Sequence, residues 1–466
     1  MKKALVITIC LFALGVSLFA GGSSEGITKT KEPLSFWEHF ETFSKMNEAL
    51  FQEFKAEKGI DIEYTLASPD KMTDAMYVAY RSNQLPDIFT VTFVGGASQM
   101  FAENWASPLA VGMDHFSKDI QDQLFEGLTT FKGEVYSVPL FSQNHCALMY
   151  YAPSLVKNVP STYEDFYNEC KRIYEESNGT VYGLILPMAF TTRINETFMY
   201  MMDAAKAPVI NWNTGAYQWD SPQMMELFNL LTRMWDEGLI MPSSVNFNMK
   251  EARERWAAGE AAFLIDGIWN VGITKNNFMP ELDDFAVCET ITPHGDDYMI
   301  YSDPAAGVYF IANNSDYKQE STELILGMLS DEYQVKIANV QDQPPFNLDA
   351  LALADVHQSY IDSVDMFTRR MGVKPYLGLR NLDALQIDAN MRKVSPTPSE
   401  ILNGYFSGAI KDWESALHKY NTQLTAARDE AIKKCLSLGY KVSLDDYVFP
   451  NFVYGESYTS EKYSEL

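Results

Sequence analysis

Between Leu34 and Val91 the sequence alternates short apolar runs with amphipathic segments, and this alternation restricts the fold more than any other feature of the chain. "PLSFW" reads as a strand. "SKMNEALFQEFKAEKG" follows, with Met46, Leu50, Phe51 and Phe54 on one helical face and Gly59 as the stop signal. "IDIEYTL" alternates as a second strand, Asp70 to Arg81 has helical spacing, and "LPDIFTV" is a third strand. A β-α-β-α-β order predicts a mainly parallel sheet covered by helices, with right-handed crossovers that bring the strand carboxyl ends to one edge. Open α/β sheets bind ligands outside that edge.

At 466 residues the chain exceeds the size at which one core stops growing, so a second domain is expected, and a second run of elements follows. In "FKGEVYSVPLFSQNHCALMYY" a Lys132-Gly133 turn joins short strands. "TYEDFYNECKRIYEE" is an amphipathic helix through Tyr163, Phe166, Cys170, Ile173 and Tyr174. "VYGLILPM" is strand-like, Asn213 to Gly215 turn a hairpin, and Gln223 to Leu239 and Met249 to Ala258 are helical. The stretch "ERWAAGEAAFLIDGIWNVGI" then gives a helix, a tight corner and a buried strand, Ala261 to Ile265, that stops at Asp266, Gly267 and Trp269. Two readings fit this ending. Either Asp266 caps the next helix and Trp269 packs, or a charged acceptor and a flat aromatic mark a ligand site. Residues 286 to 315 are β-rich with turns at His294-Gly295 and Asp303-Pro304, and the remainder is mostly helical.

The chain starts with two lysines, an apolar run from Ala4 to Ala20 and small residues, which is the layout of a secretory signal peptide. Residues 1–20 are therefore expected to be removed and 21–32 to form a flexible spacer. Gly21 stands where a lipoprotein would carry Cys, so a soluble exported protein is expected rather than a lipid-anchored one. Removal takes Lys2 and Lys3 and no acid, leaving 34 basic against 62 acidic residues, a net charge of −28. Such a field repels phosphate backbones and argues against a nucleic-acid partner. Cys146, Cys170, Cys288 and Cys435 are widely spaced with no C-x-x-C pair, which defines neither a zinc site nor a redox motif. Disulfides and buried free thiols both remain open.

Searches for catalysis find no phosphate loop, no G-x-G-x-x-G, no G-x-S-x-G and no H-E-x-x-H, and no cofactor or metal is expected. The six histidines have no ligand spacing. A carboxylate pair for sugar hydrolysis can be drawn from Glu38, Glu41 and Asp266, which keeps an exported carbohydrate-active enzyme as the alternative. The aromatic supply of eight Trp and 26 Tyr suits a concave small-molecule site, and Trp37 and Trp269 both fall at strand ends.

In order along the chain, "LSFWEHF", "SNQLPDIFTV", "NWASPL", "FKGEVYSVP", "LMYYAPSL", "STYEDF", "RWAAGEAAFLIDGIW" and "SDPAAGVYFIANNS" followed by "STELILGMLSDEYQ" resemble the extracellular solute-binding proteins of bacterial ATP-binding-cassette sugar importers. The resemblance covers roughly residues 33 to 340. It implies the α/β fold of type II periplasmic binding proteins: two lobes joined by hinge crossings, a ligand cleft between them, and no chemistry performed. Lobe 1 is expected at 33–138 plus 290–340, and lobe 2 at 139–289 plus 341–466 with a helical carboxy-terminal extension. Crossings are expected near Val138 to Asn144, Glu289 to Pro293 and Gln341 to Phe346.

The implied partners are a small sugar ligand and the membrane permease of the importer, for a monomer in the periplasm or outside the cell. The implied ligand-binding residues are Trp37, His39, Glu41, Thr92, Asn144, Asp266, Trp269 and Asp303. Two departures touch the site: Tyr150-Tyr151-Ala152 lacks an amide usual in the family, and Asp303-Pro304-Ala305-Ala306-Gly307 adds a carboxylate to a Gly-rich segment. The tail "LDDYVFPNFVYGESYTSEKYSEL" departs from the family pattern altogether.

Overall fold

The computed structural model of the chain describes residues 32–67, 69–91 and 96–466, so the signal segment and all but the last residue of the spacer lie outside the described residues. Two sheets organise the protein. In the first, Leu34–Glu38 pairs in parallel with Ile62–Leu66 on one side and Ile88–Thr90 on the other. Tyr309–Ala312 returns antiparallel against Ile88–Thr90 and also pairs with Ala106–Ser107. The apolar alternation explains the placement, because Leu34, Phe36 and Ile88 are fully buried against the helix Ser44–Lys58. That helix buries Met46, Phe51 and Phe54 from its predicted face and ends at Gly59, whose φ of 67° is the left-handed turn glycine adopts readily.

In the second sheet the order is Ala286–Cys288, Leu148–Tyr151, Ala261–Asp266, Tyr182–Ile185. The strand Ala261–Asp266 is buried at every position, parallel to Tyr182–Ile185 and antiparallel to Leu148–Tyr151. A strand covered on both faces reads as a continuous apolar run, which is why its sequence does not alternate. The helix Tyr163–Glu176 covers this sheet and begins at a capping box between Thr162 and Asp165.

The segments expected as the first and third crossings lie side by side. Phe141 bridges Pro345, the Ser142 amide donates to the Pro344 carbonyl at 3.0 Å, and the Phe346 amide donates to Leu140 at 3.1 Å. Thr292, in the second crossing, bridges Thr162. The strand Ile300–Ser302 leaves the first sheet's neighbourhood and pairs in parallel with Met371–Val373. Beyond the 25-residue helix Trp413–Ser437 the tail has little regular structure, yet Tyr447, Phe449, Phe452 and Tyr458 are buried. All four described cysteines are buried free thiols. No helix among the described residues is long and apolar enough to cross a membrane.

Candidate functional site

The strand Ala261–Asp266 ends in an arrangement that neither reading of its sequence anticipated. Asp266 is 0% exposed and binds Arg253 through two contacts, Nε to Oδ2 at 2.6 Å and Nη2 to Oδ1 at 3.1 Å. Its Oδ1 also accepts from the Gly267 amide at 2.8 Å and the Trp269 indole at 3.0 Å. The short helix Trp269–Ile273 that follows has Ile268 at its cap position, with no side-chain cap. Asp266 therefore does not cap that helix; its buried carboxylate fixes the indole. Gly267 is required here because a Cβ at that position would fall inside the Trp269 ring. Tyr150, on the neighbouring strand, braces the same turn by donating to the Gly267 carbonyl at 2.9 Å. A hydrolytic pair using Asp266 loses its second acid, since a catalytic carboxylate must reach the substrate.

The indole of Trp269 is half-buried, and the Arg193 guanidinium lies 4.7 Å from its ring centre. Arg193 belongs to the helix Thr191–Ala204 and pairs with Glu196 at 2.8 Å. Tyr200, seven residues on and so on the same face, lines a cavity of about 310 Å³ with Asn144 and Asp303. The cavity forms where the crossing Phe141–Asn144, the crossing residue Gln343 and the loop Ser302–Ala306 converge. Asn144 donates to Gln343 Oε1 at 2.8 Å, tying the first crossing to the third. Two of the expected site residues thus share one cavity, while Trp37, His39, Asp266 and Trp269 stand outside its lining.

At the carboxyl edge of the first sheet, His39 Nδ1 lies 2.8 Å from Thr90 Oγ1 and joins the ends of two strands. Burial pulls its imidazole down to about 4, so it is neutral at physiological pH. Trp37 is half-buried against the cluster of Phe89, Trp105 and Phe310. Glu41 opens the 3-10 turn Glu41–Phe43, and its side chain lies outside the described residues, as does the whole of Thr92. Phe40 packs between Phe43 and Phe141, with ring centres 5.5 Å from each, and so connects this edge to the first crossing.

One feature of the edge was misread from sequence. Glu38, grouped there with the hydrolytic acids, is 0% exposed and accepts from Tyr64 at 2.6 Å, from Asn47 at 2.8 Å and from Tyr309. Tyr333 donates to Asn47 at 2.6 Å and completes the network. Burial raises the Glu38 carboxyl, against the opposing effect of these hydrogen bonds. The network pins the strand end from which the site loops depart. Also missed were Arg253, Arg193 and Tyr200; only the 3.6-residue spacing of the last two along one helix offered a signal.

The description of the bacterial extracellular solute-binding protein family matches residues 38–335. No curated protein sequence matches the chain. Among solved structures, the fold is similar to the GacH receptor of Streptomyces glaucescens, crystallised unliganded and with acarbose, with a TM-score of 0.63, 15% identity, and coverage of 88% of this chain and 99% of that one. A solute-binding protein of an ABC transporter from Thermotoga lettingae, bound with α-D-tagatose, has a TM-score of 0.64 and 15% identity over 85% of this chain and 100% of that one. The maltose/maltodextrin-binding domain MalE of Bdellovibrio bacteriovorus, bound to maltotriose, has a TM-score of 0.61 and 14% identity over 86% of this chain and 100% of that one. With its family description matching well over half of its length, the two-lobed chain belongs to the bacterial extracellular solute-binding proteins.

Proposed function

We infer that the protein captures a sugar or oligosaccharide between its lobes and delivers it to the membrane permease of an ATP-binding-cassette importer, without chemical change and as a monomer. The observation that carries this reading is the oriented indole of Trp269: a half-buried aromatic held in one orientation by a buried carboxylate is what a sugar ring with one apolar face needs. The sugars bound by the similar structures lend it support. Export through residues 1–20 belongs to the same reading. So does the division into lobe 1, residues 33–138 with 290–340, and lobe 2, residues 139–289 with 341–466, with Ile300–Ser302 seated against Met371–Val373 of lobe 2.

Within this reading Trp269 stacks on the ring, Asn144 and Asp303 bond its hydroxyls, and His39, Trp37, Glu41 and Thr92 close over it from lobe 1. Micromolar capture corresponds to only about −8 kcal/mol, which a few stacking and charge-assisted contacts supply. Calorimetry against a broad panel of glycans, peptides, polyamines and metal ions tests the proposal. Saturable binding of a glycan recovered intact is expected; binding of only the other classes overturns it.

A further inference from the structure

A second cavity, of about 400 Å³, adjoins the first and shares Asp303 with it. Each alone is near the small end of the roughly 300–1,000 Å³ usual for small-molecule sites, and the two meet at Asp303. Gly96, which follows the first sheet's strand Ile88–Thr90, lines the second cavity from one side. The opposite wall comes from three stretches of chain far apart in sequence: the hairpin with Trp212 and Tyr217, the segment with Lys374, Tyr376 and Asp388, and Tyr447 of the carboxy-terminal tail.

The tail assembles this wall. The Phe449 amide donates to the Trp212 carbonyl at 2.6 Å, and Asn213 Nδ2 reaches back to the Phe452 carbonyl at 2.9 Å. Farther along, the Tyr458 amide donates to the Val373 carbonyl at 2.8 Å, and Tyr463 Oη accepts from the Tyr376 amide at 2.9 Å. The hairpin and the Lys374–Tyr376 loop thus both depend on the segment that departs from the family pattern. Buried Trp212 and Tyr447 form the floor, while Tyr217 and Tyr376 are half-buried and keep ring surface open.

The lining combines two carboxylate acceptors with one ammonium donor. Asp303 lies 3.3 Å from Lys374, and Asp388, exposed at the cavity, accepts from the Tyr447 hydroxyl at 3.2 Å. Arg428 lies behind the wall, 5.1 Å from the Tyr217 ring centre and 5.3 Å from that of Tyr447. Arg428 has its own partner in Asp429 at 3.2 Å, so within the lining Asp303 is neutralised by Lys374 and Asp388 is held by the Tyr447 hydroxyl. Aromatic faces beside such partnered acceptors suit a neutral polyhydroxylated ring.

We propose that the carboxy-terminal tail builds a second sugar subsite around Tyr376, Asp388 and Tyr447, so that the preferred ligand is a neutral oligosaccharide longer than one unit. This rests on the sugar-binding reading above. The test is calorimetric titration of the full chain with malto-, cello-, manno- and xylo-oligosaccharides of one to five units. In the series that binds, affinity rises about tenfold or more from the one-unit to the longer members, the size of effect a buried aromatic contact gives. Tyr376→Ala and Asp388→Asn each remove that rise and leave the one-unit affinity within about twofold of the parent, whereas Tyr376→Phe keeps it. Thermal melts of the variants separate lost binding from lost folding, and the conservative Asp388→Asn carries the test if Tyr376→Ala does not fold. Length-independent affinity in the parent, or equal losses at every length in the variants, overturns the subsite alone. No binding in any of the four series, with a non-sugar solute bound instead, overturns the sugar reading and the subsite with it.

Discussion

Replacing Asp266 by Asn isolates the charge that holds the site's indole. The substitution keeps the side chain's shape, and its oxygen still accepts from the Gly267 amide and the Trp269 indole. The other end changes from an acceptor to an amide donor and faces the Arg253 Nε that stood 2.6 Å from Asp266 Oδ2. Arg253 is 12% exposed, so its guanidinium is left with little water and without its bonded counterion. Breaking a buried pair in this way costs about 3–5 kcal/mol, most of it the penalty of the orphaned charge. Folded proteins are stable by roughly 5–15 kcal/mol, so the variant is expected to fold with a clearly lowered urea midpoint. Adding Arg253→Met removes the orphan and is expected to restore most of the loss, giving a large coupling energy in the double-mutant cycle. The glycan affinity of Asp266→Asn should fall less than that of Trp269→Ala, because the indole keeps its acceptor. A stability change below about 1 kcal/mol for Asp266→Asn, or no recovery in the double variant, refutes the reasoning.

Further outcomes follow from the same geometry. Trp269→Ala removes the stacking face and is expected to weaken glycan binding by about 1–3 kcal/mol in calorimetry, with an unchanged melting temperature; full affinity in the folded variant removes Trp269 from the site. Burial lifts the Asp203 carboxyl from 3.8 to about 7, against one hydrogen bond from the Tyr301 amide at 3.0 Å. A raised folded-state value means that its contribution to stability is whole below 3.8 and is lost as pH rises toward 7, by up to about 4 kcal/mol. Asp203→Asn should therefore gain on the parent between pH 4 and 7.5 in urea unfolding, and a constant difference across that range would count against it. A Cβ at Gly272 would meet the Val340 carbonyl and come within 2.7 Å of the Gln341 carbonyl oxygen, so Gly272→Ala should push the helix Trp269–Ile273 off the third crossing and cost about 1–3 kcal/mol. Saturating glycan should lower the radius of gyration in small-angle scattering as the lobes close; an unchanged value together with unchanged inter-lobe spin-label distances excludes closure.

The elements legible in sequence were those marked by a local pattern. The face of the helix Ser44–Lys58 and the hairpin at Lys132-Gly133 take their places from neighbours within a few residues, and the strand Ala261–Asp266 was legible from its unbroken apolar run although its sheet partners, Leu148–Tyr151 and Tyr182–Ile185, lie far back in the chain. Trp269 could be located because a strand ended there, yet its orientation could not, because Arg253 lies thirteen residues before Asp266 on a helix, at no regular spacing. Glu38 illustrates the same limit: its partners Tyr64 and Tyr309 lie 26 and 271 residues away, and an acid at a strand end looks alike whether it faces solvent or a ring of hydroxyls. The tail read as an anomaly because its role is played in long-range contacts, from 59 residues between Tyr447 and Asp388 to 239 between Asn213 and Phe452, that no local pattern signals.

Those contacts also set an order of events in time. Every strand of both main sheets has left the ribosome by Ala312, but the stretch that ties the hairpin at Trp212 to the loop at Tyr376 emerges only after the long helix Trp413–Ser437. A protein cut short near Gly439 would still hold every strand of both main sheets while losing the segment that braces the hairpin at Trp212 and the loop at Tyr376. Under the proposed subsite, selection by ligand length would rest on a segment that takes no part in either main sheet.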